Sequence, residues 1–301
     1  MRVSFIHSGK PEMGSYKLRA SIPAKENGWS VNDSTADVLI LSKPMEHELP
    51  LLDSGKTIVV DFCDPHFVRF PHYRKFLKLA DGVTCSSQIM GQIIASQGRM
   101  ATVVGDCWDN EQEAPHFNGT KLVWFGHRTN LYSIERLIGS MDRDYGIRIL
   151  CNAKGSHCEP LTEASRKEAL AWADICVLPA TEAYKNPNRA VSAIRAGCLV
   201  VAEPHPAYVG LPIYVGDIQE GIEWAARNPQ KALELVRSGQ AYVSERYSPK
   251  TVASAWKAVI RSACTSGVGN TDGKAGRTAT LPTLTLTATC VGSPLTATTR
   301  M

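Results

Sequence analysis

No stretch of 18 consecutive apolar residues occurs in this 301-residue chain, so the sequence offers no ordinary membrane-spanning helix. The apolar part of Met1-Arg2-Val3-Ser4-Phe5-Ile6-His7 is too short for a signal-peptide core, and the expectation is a cytoplasmic protein. Several signatures are missing as well. No Gly-x-Gly-x-x-Gly follows the first strand-like run, which disfavours a dehydrogenase-like nucleotide binder; Gly9-Lys10 lacks the glycine spacing of a P-loop, and there is no His-Glu-x-x-His. No C-x-x-C pair is present. The nine cysteines are odd in number, widely spaced and mostly set in apolar strands, so reduced, buried thiols are expected. Glu46-His47-Glu48 has no partner cluster to complete a metal site, and neither metal nor cofactor is expected. Charge nearly vanishes after Thr265 in a segment of Thr, Ala, Gly and Ser, which reads as a low-complexity, disordered tail over 263–301.

The net charge of +4 is too small to imply a nucleic-acid partner, the more so because the tail holds Lys274, Arg277 and Arg300 against Asp272 alone. A local cluster of Arg69, Arg74, Lys75 and Lys78 leaves DNA open as a partner, although its plainer reading is a solvated helix face.

What the chain does have is two rounds of strand and helix alternation, the pattern of doubly wound α/β domains. In the first round, strands are expected at Val3 to His7, Val38 to Leu41, Thr57 to Asp61, Gly82 to Cys85 and Ala101 to Val104, with helices at Tyr16 to Glu26 and Ser86 to Ser96. A polar stretch with Pro and Gly over 110–119 then reads as a linker, dividing a domain of residues 1–117 from one of 118–262. The second round has strands at Leu122 to Phe125, Arg148 to Cys151, Ile175 to Leu178, Leu199 to Ala202 and Ile213 to Val215. Helix starts are signalled by Asp217 with Glu220, by Asn228 before Pro229 and by Ser248 before Pro249.

The richest segment follows the strand Ile175 to Leu178. Asn186 as N-cap, Pro187 at the first helical position and Gly197 as a left-handed stop define a helix of about ten residues. Lys185 precedes it and Arg189 lies in its first turn, so the free N–H groups and positive end of the helix, reinforced by two cations, suit an anionic, phosphorylated ligand.

Together these residues resemble GT-B-fold retaining glycosyltransferases of the group-1 type, in a compact, phage-like version. The resemblance rests on Ser15-Tyr16-Lys17-Leu18-Arg19, Val59-Val60-Asp61-Phe62-Cys63-Asp64-Pro65-His66, Ala80-Asp81-Gly82-Val83-Thr84-Cys85-Ser86, Trp124-Phe125-Gly126 and Cys198-Leu199-Val200-Val201-Ala202. It covers residues 1 to about 262 in the family's order. It implies two Rossmann-like domains facing a cleft, the last helix crossing back to the first, and transfer of a sugar from a nucleoside-diphosphate sugar, most simply a UDP-sugar, to an acceptor hydroxyl with retention. A hydroxymethylated pyrimidine in phage DNA is one acceptor it suggests, with the host cytoplasm as the location. By the same resemblance Arg128, Lys185, Asn188, Arg189 and Ser192 bind the donor, Asp64 and His66 are catalytic, and Gly14, Ser15 and Arg19 belong to the first loop. The family's Glu-x7-Glu is replaced by Tyr184 and Ser192, with Glu182 out of register. That departure motivates the alternative, a non-catalytic nucleotide or nucleotide-sugar binding protein of the same fold.

Overall fold

The computed structural model describes residues 1–11, 13–142, 145–152 and 158–267. Strands β1 (Val3–His7), β2 (Ser30–Val31), β3 (Val38–Ser42), β4 (Thr57–Phe62), β5 (Gly82–Cys85) and β6 (Thr102–Val103) form a parallel sheet ordered β2-β1-β3-β4-β5-β6. Strands β7 (Leu122–Gly126), β8 (Ile147–Cys151), β9 (Glu159–Pro160), β10 (Ile175–Leu178), β11 (Leu199–Ala202) and β12 (Tyr214–Val215) form a second, ordered β12-β11-β10-β7-β8-β9. Among the described residues, ten α-helices connect and cover them: α1 (Gly14–Tyr16), α2 (Ile22–Asn27), α3 (Pro71–Leu79), α4 (Gln88–Ala95), α5 (Leu131–Ser140), α6 (Glu163–Trp172), α7 (Asn188–Arg195), α8 (Ile218–Arg227), α9 (Pro229–Arg246) and α10 (Pro249–Gly267).

Both sheets are buried on two faces, as parallel sheets with crossover helices must be. Alternate residues of one strand therefore feed two cores: Leu39 and Leu41 join one cluster while Val38 and Ile40 join another, and β10 divides Cys176 and Leu178 from Ile175 and Val177 in the same way. The last helix, α10, packs Val252, Trp256, Val259, Ile260 and Ala263 against Val3, Phe5 and Val59 of the first sheet, with Trp256 edge-on to Phe5 at 5.1 Å. It continues beyond residue 262, where the low-complexity tail was expected to begin. The remainder of that tail, 268–301, lies outside the described residues.

Of the three expected helix starts two are capped by a side chain, whereas Asn228 makes no cap and donates Nδ2 to the Trp224 carbonyl instead. Asp217 accepts from the Glu220 amide at 2.9 Å and Ser248 from that of Thr251 at 3.0 Å. At α7 the helix begins later than expected, at Asn188. Pro187 is non-helical (φ −85°, ψ 20°), and Asn186 instead accepts from the Asn188 amide at 3.3 Å. Gly197 does adopt the left-handed stop (φ +86°), and a Cβ there would run into the carbonyl of Ala114.

The cysteine expectation fails at one pair. β8 and β9 are adjacent, with Cys151 opposite Pro160, so Cys158 arrives beside Cys151 and the two form a disulfide with Cα atoms 6.0 Å apart. Cys85, Cys107, Cys176 and Cys198 are free and buried, as expected.

Candidate functional site

In the second sheet the chain runs outward through β7, β8 and β9, then returns to start β10 on the other side of β7. Ligands of open parallel sheets bind at such a reversal, beyond the carboxyl ends of the strands. The loop after β7 carries His127 and Arg128, and the loop after β10 carries Tyr184, Lys185 and Asn186. The first sheet has its own reversal at β1, between β2 and β3, with Ser8 to Pro11 following β1 and Lys43 following β3.

The two loop sets meet across the cleft. Lys185 Nζ lies 2.5 Å from Asp64 Oδ1, Ser87 Oγ donates to the Tyr184 carbonyl at 2.7 Å, and Asn186 Nδ2 donates to Asp106 Oδ2 at 2.6 Å. Burial works to raise the Asp64 carboxyl, but hydrogen bonding and charge from Lys185 outweigh it and hold it below its ordinary value; the Lys185 ammonium, opposed by burial, is raised in return. His66, 3.8 Å from Asp64, is lowered by burial and by Lys43, Lys185 and Arg69, against the pull of Asp64. His127 is lowered by burial and then by Arg128, Lys185 and Lys43. Arg128, Lys185 and Lys43 thus act on one imidazole, from three loops of both halves.

Arg189, in the first turn of α7, lies over the Trp124 ring at 5.8 Å, and its buried Nη1 has no hydrogen-bond partner among the described residues. Gly126 makes room for the ring beneath it, since a Cβ there would lie 2.9 Å from Trp124 Cζ2. Arg128 is exposed, its amide held by Asn152 Oδ1 at 2.8 Å. Asn188 is half-buried at the start of α7. Ser192 is only 4% exposed, within the packing of α7, and of the donor-side candidates it offers the least surface to a ligand.

On the first half, Gly14 is exposed with open space around it, and the buried Ser15 hydroxyl has no partner among the described residues. Arg19 follows the first loop. It is 1% exposed in a π-helical turn, Lys17–Ser21, and its guanidinium is consumed by the protein: Nε and Nη2 grip Asp61 at 2.7 and 2.6 Å, and Nη1 donates to Asp106 at 2.7 Å and to the Val104 carbonyl at 2.8 Å. No face of it is left for a phosphate. The basic cluster on α3 is also reduced, because Arg74 spends its guanidinium on the carbonyls of Phe67 and Val68.

Lys43, His127, Asp106 and Asn186 were not singled out as site residues. Lys43 and His127 directly follow strand ends, which the rule for open sheets could have flagged. An open apolar depression of about 530 Å³ lined by Pro204, Pro206, Tyr208, Val209 and Leu211 follows β11 and contains none of the candidate residues. Among the described residues no helix is long and apolar enough to cross a membrane.

Two doubly wound parallel sheets whose carboxyl-end loops meet across a cleft, with the last helix returning to the first sheet, define the GT-B fold. The chain is similar in structure to HepE of Anabaena in complex with UDP and glucose, with a TM-score of 0.68 at 13% identity over 87% of this chain and 100% of that one. Staphylococcus aureus TarM superposes with a TM-score of 0.57 at 14% identity, over 74% of this chain and 54% of its own. An alpha1,3-fucosyltransferase with GDP gives 0.51 at 8% identity, over 86% and 91%. No family model matches the sequence, and no curated protein matches it.

Proposed function

We propose that this protein is a glycosyltransferase that moves a sugar from a nucleoside-diphosphate sugar to an acceptor hydroxyl. The observation that carries the reading is the set of cations at the reversal of the second sheet, Arg128, Lys185 and Arg189, with a buried guanidinium nitrogen of Arg189 left without a partner. Buried donors are normally satisfied, so an unfilled one beside two further cations and the start of α7 favours an anion as the missing partner. The UDP and UDP-glucose bound in the HepE structures support a UDP-sugar as donor.

In the reaction the acceptor oxygen bonds to the anomeric carbon as the bond from that carbon to the diphosphate oxygen breaks. The electron pair leaves on the diphosphate, where Arg128, Lys185 and Arg189 stabilise the growing charge. With retention, which the family resemblance implies, the acceptor proton passes to the departing phosphate oxygen. Asp64 and His66, on the opposite wall, orient the sugar and the acceptor. Residues 1–117 form the acceptor side and 118–262 the donor side, in a cytoplasmic protein. A hydroxymethylated pyrimidine in DNA fits as acceptor only through Arg69, Lys75 and Lys78, and its binding would weaken steeply with salt.

The second reading, a nucleotide-sugar binder without turnover, is favoured by Tyr184 and the buried Ser192 at the positions of the family's two glutamates. Release of free UDP from UDP-glucose, with water or an added acceptor, decides between them. Release at a steady rate supports the transferase; saturable UDP binding without release supports the binder.

A further inference from the structure

We infer that Arg19, Asp106 and Asn186 form a relay across the cleft that positions the amino terminus of α7, and with it Lys185 and Arg189, for the donor. The inference rests on the donor site proposed above and adds three positioning residues that do not touch the donor themselves.

The relay consists of three successive hydrogen bonds. Arg19 Nη1 donates to Asp106 Oδ1 at 2.7 Å; Asp106 Oδ2 accepts from Asn186 Nδ2 at 2.6 Å; Asn186 Oδ1 accepts from the Asn188 amide, the first of α7, at 3.3 Å. Asp106 gives one oxygen to each half of the protein. Asn186 likewise uses both ends of its amide, so turning it over would set Nδ2 against the Asn188 N–H. Arg19 is fixed by Asp61, which in turn accepts from Thr84 at 2.8 Å. The π-helical turn that carries Arg19 is a local departure from α geometry of the kind that recurs at functional sites.

An ion pair buried this deeply is weak evidence of a stability role, because desolvation offsets most of the attraction. Directional bonds that leave no alternative arrangement instead specify one geometry. Here that geometry fixes the residue between Lys185 and the helix start.

The test exploits the directionality. In Asp106→Asn an amide N–H faces the Asn186 amide, and in Asn186→Asp two carboxylates face each other. In the double variant Asn at 106 donates to Asp at 186, which still accepts from Asn188, so every bond is restored. Asn186→Ala, at a half-buried loop position, only deletes the amide. Amide hydrogen exchange of the ligand-free protein from Asn188 to Val191 should be roughly tenfold faster in each single variant and return to the wild-type rate in the double variant. UDP affinity by calorimetry should follow, weakened roughly tenfold in the singles and restored in the double. Unchanged exchange in the singles, or no recovery in the double, overturns the relay. Equal UDP affinity across a set whose wild type binds UDP overturns its service to the donor. A wild type that binds no UDP but shows the exchange pattern refutes the donor site and leaves the relay standing.

Discussion

The two walls of the cleft treat their cations in opposite ways. On the first half Arg19 is buried and saturated, with every guanidinium nitrogen given to Asp61, Asp106 or a carbonyl. On the second half Arg189 is half-buried with one nitrogen unsatisfied, Arg128 has no ion pair among the described residues, and Lys185 pairs with a carboxylate from the opposite wall and lies over the Tyr184 ring. The difference separates a cation fully engaged by the protein from cations with bonding capacity to spare, which suits the ligand role proposed for them, and neither burial nor sequence position alone would have made it.

The largest effect should come from breaking the saturated side. Arg19→Met leaves Asp61 and Asp106 buried without their counter-charge, a change expected to cost about 3–5 kcal/mol. Urea unfolding should show that loss for Arg19→Met, whereas Arg189→Met should stay within about 1 kcal/mol of wild type. Equal losses would erase the distinction between the walls.

Next in size is the awaiting side. Lys185→Ala and Arg128→Ala each remove a cation from the departing diphosphate and should cost about 2–4 kcal/mol of transition-state stabilisation, roughly a hundredfold in turnover. Circular dichroism should be unchanged in both.

A third effect depends on pH. Burial, then Lys43, lower the His7 imidazole from 6.5 to about 4, so the folded protein leaves it neutral where the unfolded chain takes up a proton. Stability from this group is therefore complete above pH 6.5 and is lost as pH falls towards 4, by on the order of 2–3 kcal/mol. His7→Gln should flatten that part of the stability curve measured between pH 7 and 4.5; an unaltered slope would place the proton uptake elsewhere.

The smallest effect has two opposite signs. Asp64 competes with a diphosphate for Lys185, so Asp64→Asn should bind UDP a few-fold more tightly while turning over more slowly. Weaker binding would mean that Lys185 needs Asp64 to keep it in place.

Much of this architecture was legible in the sequence because it is set locally. Apolar runs such as Ile175 to Leu178 and Leu199 to Ala202 became strands at the expected residues, and Gly197, Asp217 and Ser248 mark helix ends by their own chemistry. What the sequence hid depends on partners distant along the chain. Nothing near Arg19 in the sequence shows that Asp61 and Asp106, 42 and 87 residues away, close on it. Cys151 and Cys158 paired only because two short parallel strands lie side by side. The edge strands β2 and β9 have two residues each, too few for any periodicity to register. Lys43 adopts φ +56°, a conformation that nothing in its neighbouring residues announces.

The most direct measurement of the central claim is calorimetric titration of UDP into the wild type and into the Arg128→Ala/Lys185→Ala double variant, with folding checked by circular dichroism. The wild type should show saturable one-site binding, and a folded double variant should lose it by roughly a hundredfold or more. Wild-type affinity in that variant would contradict the assignment of the second-half cations to the donor diphosphate.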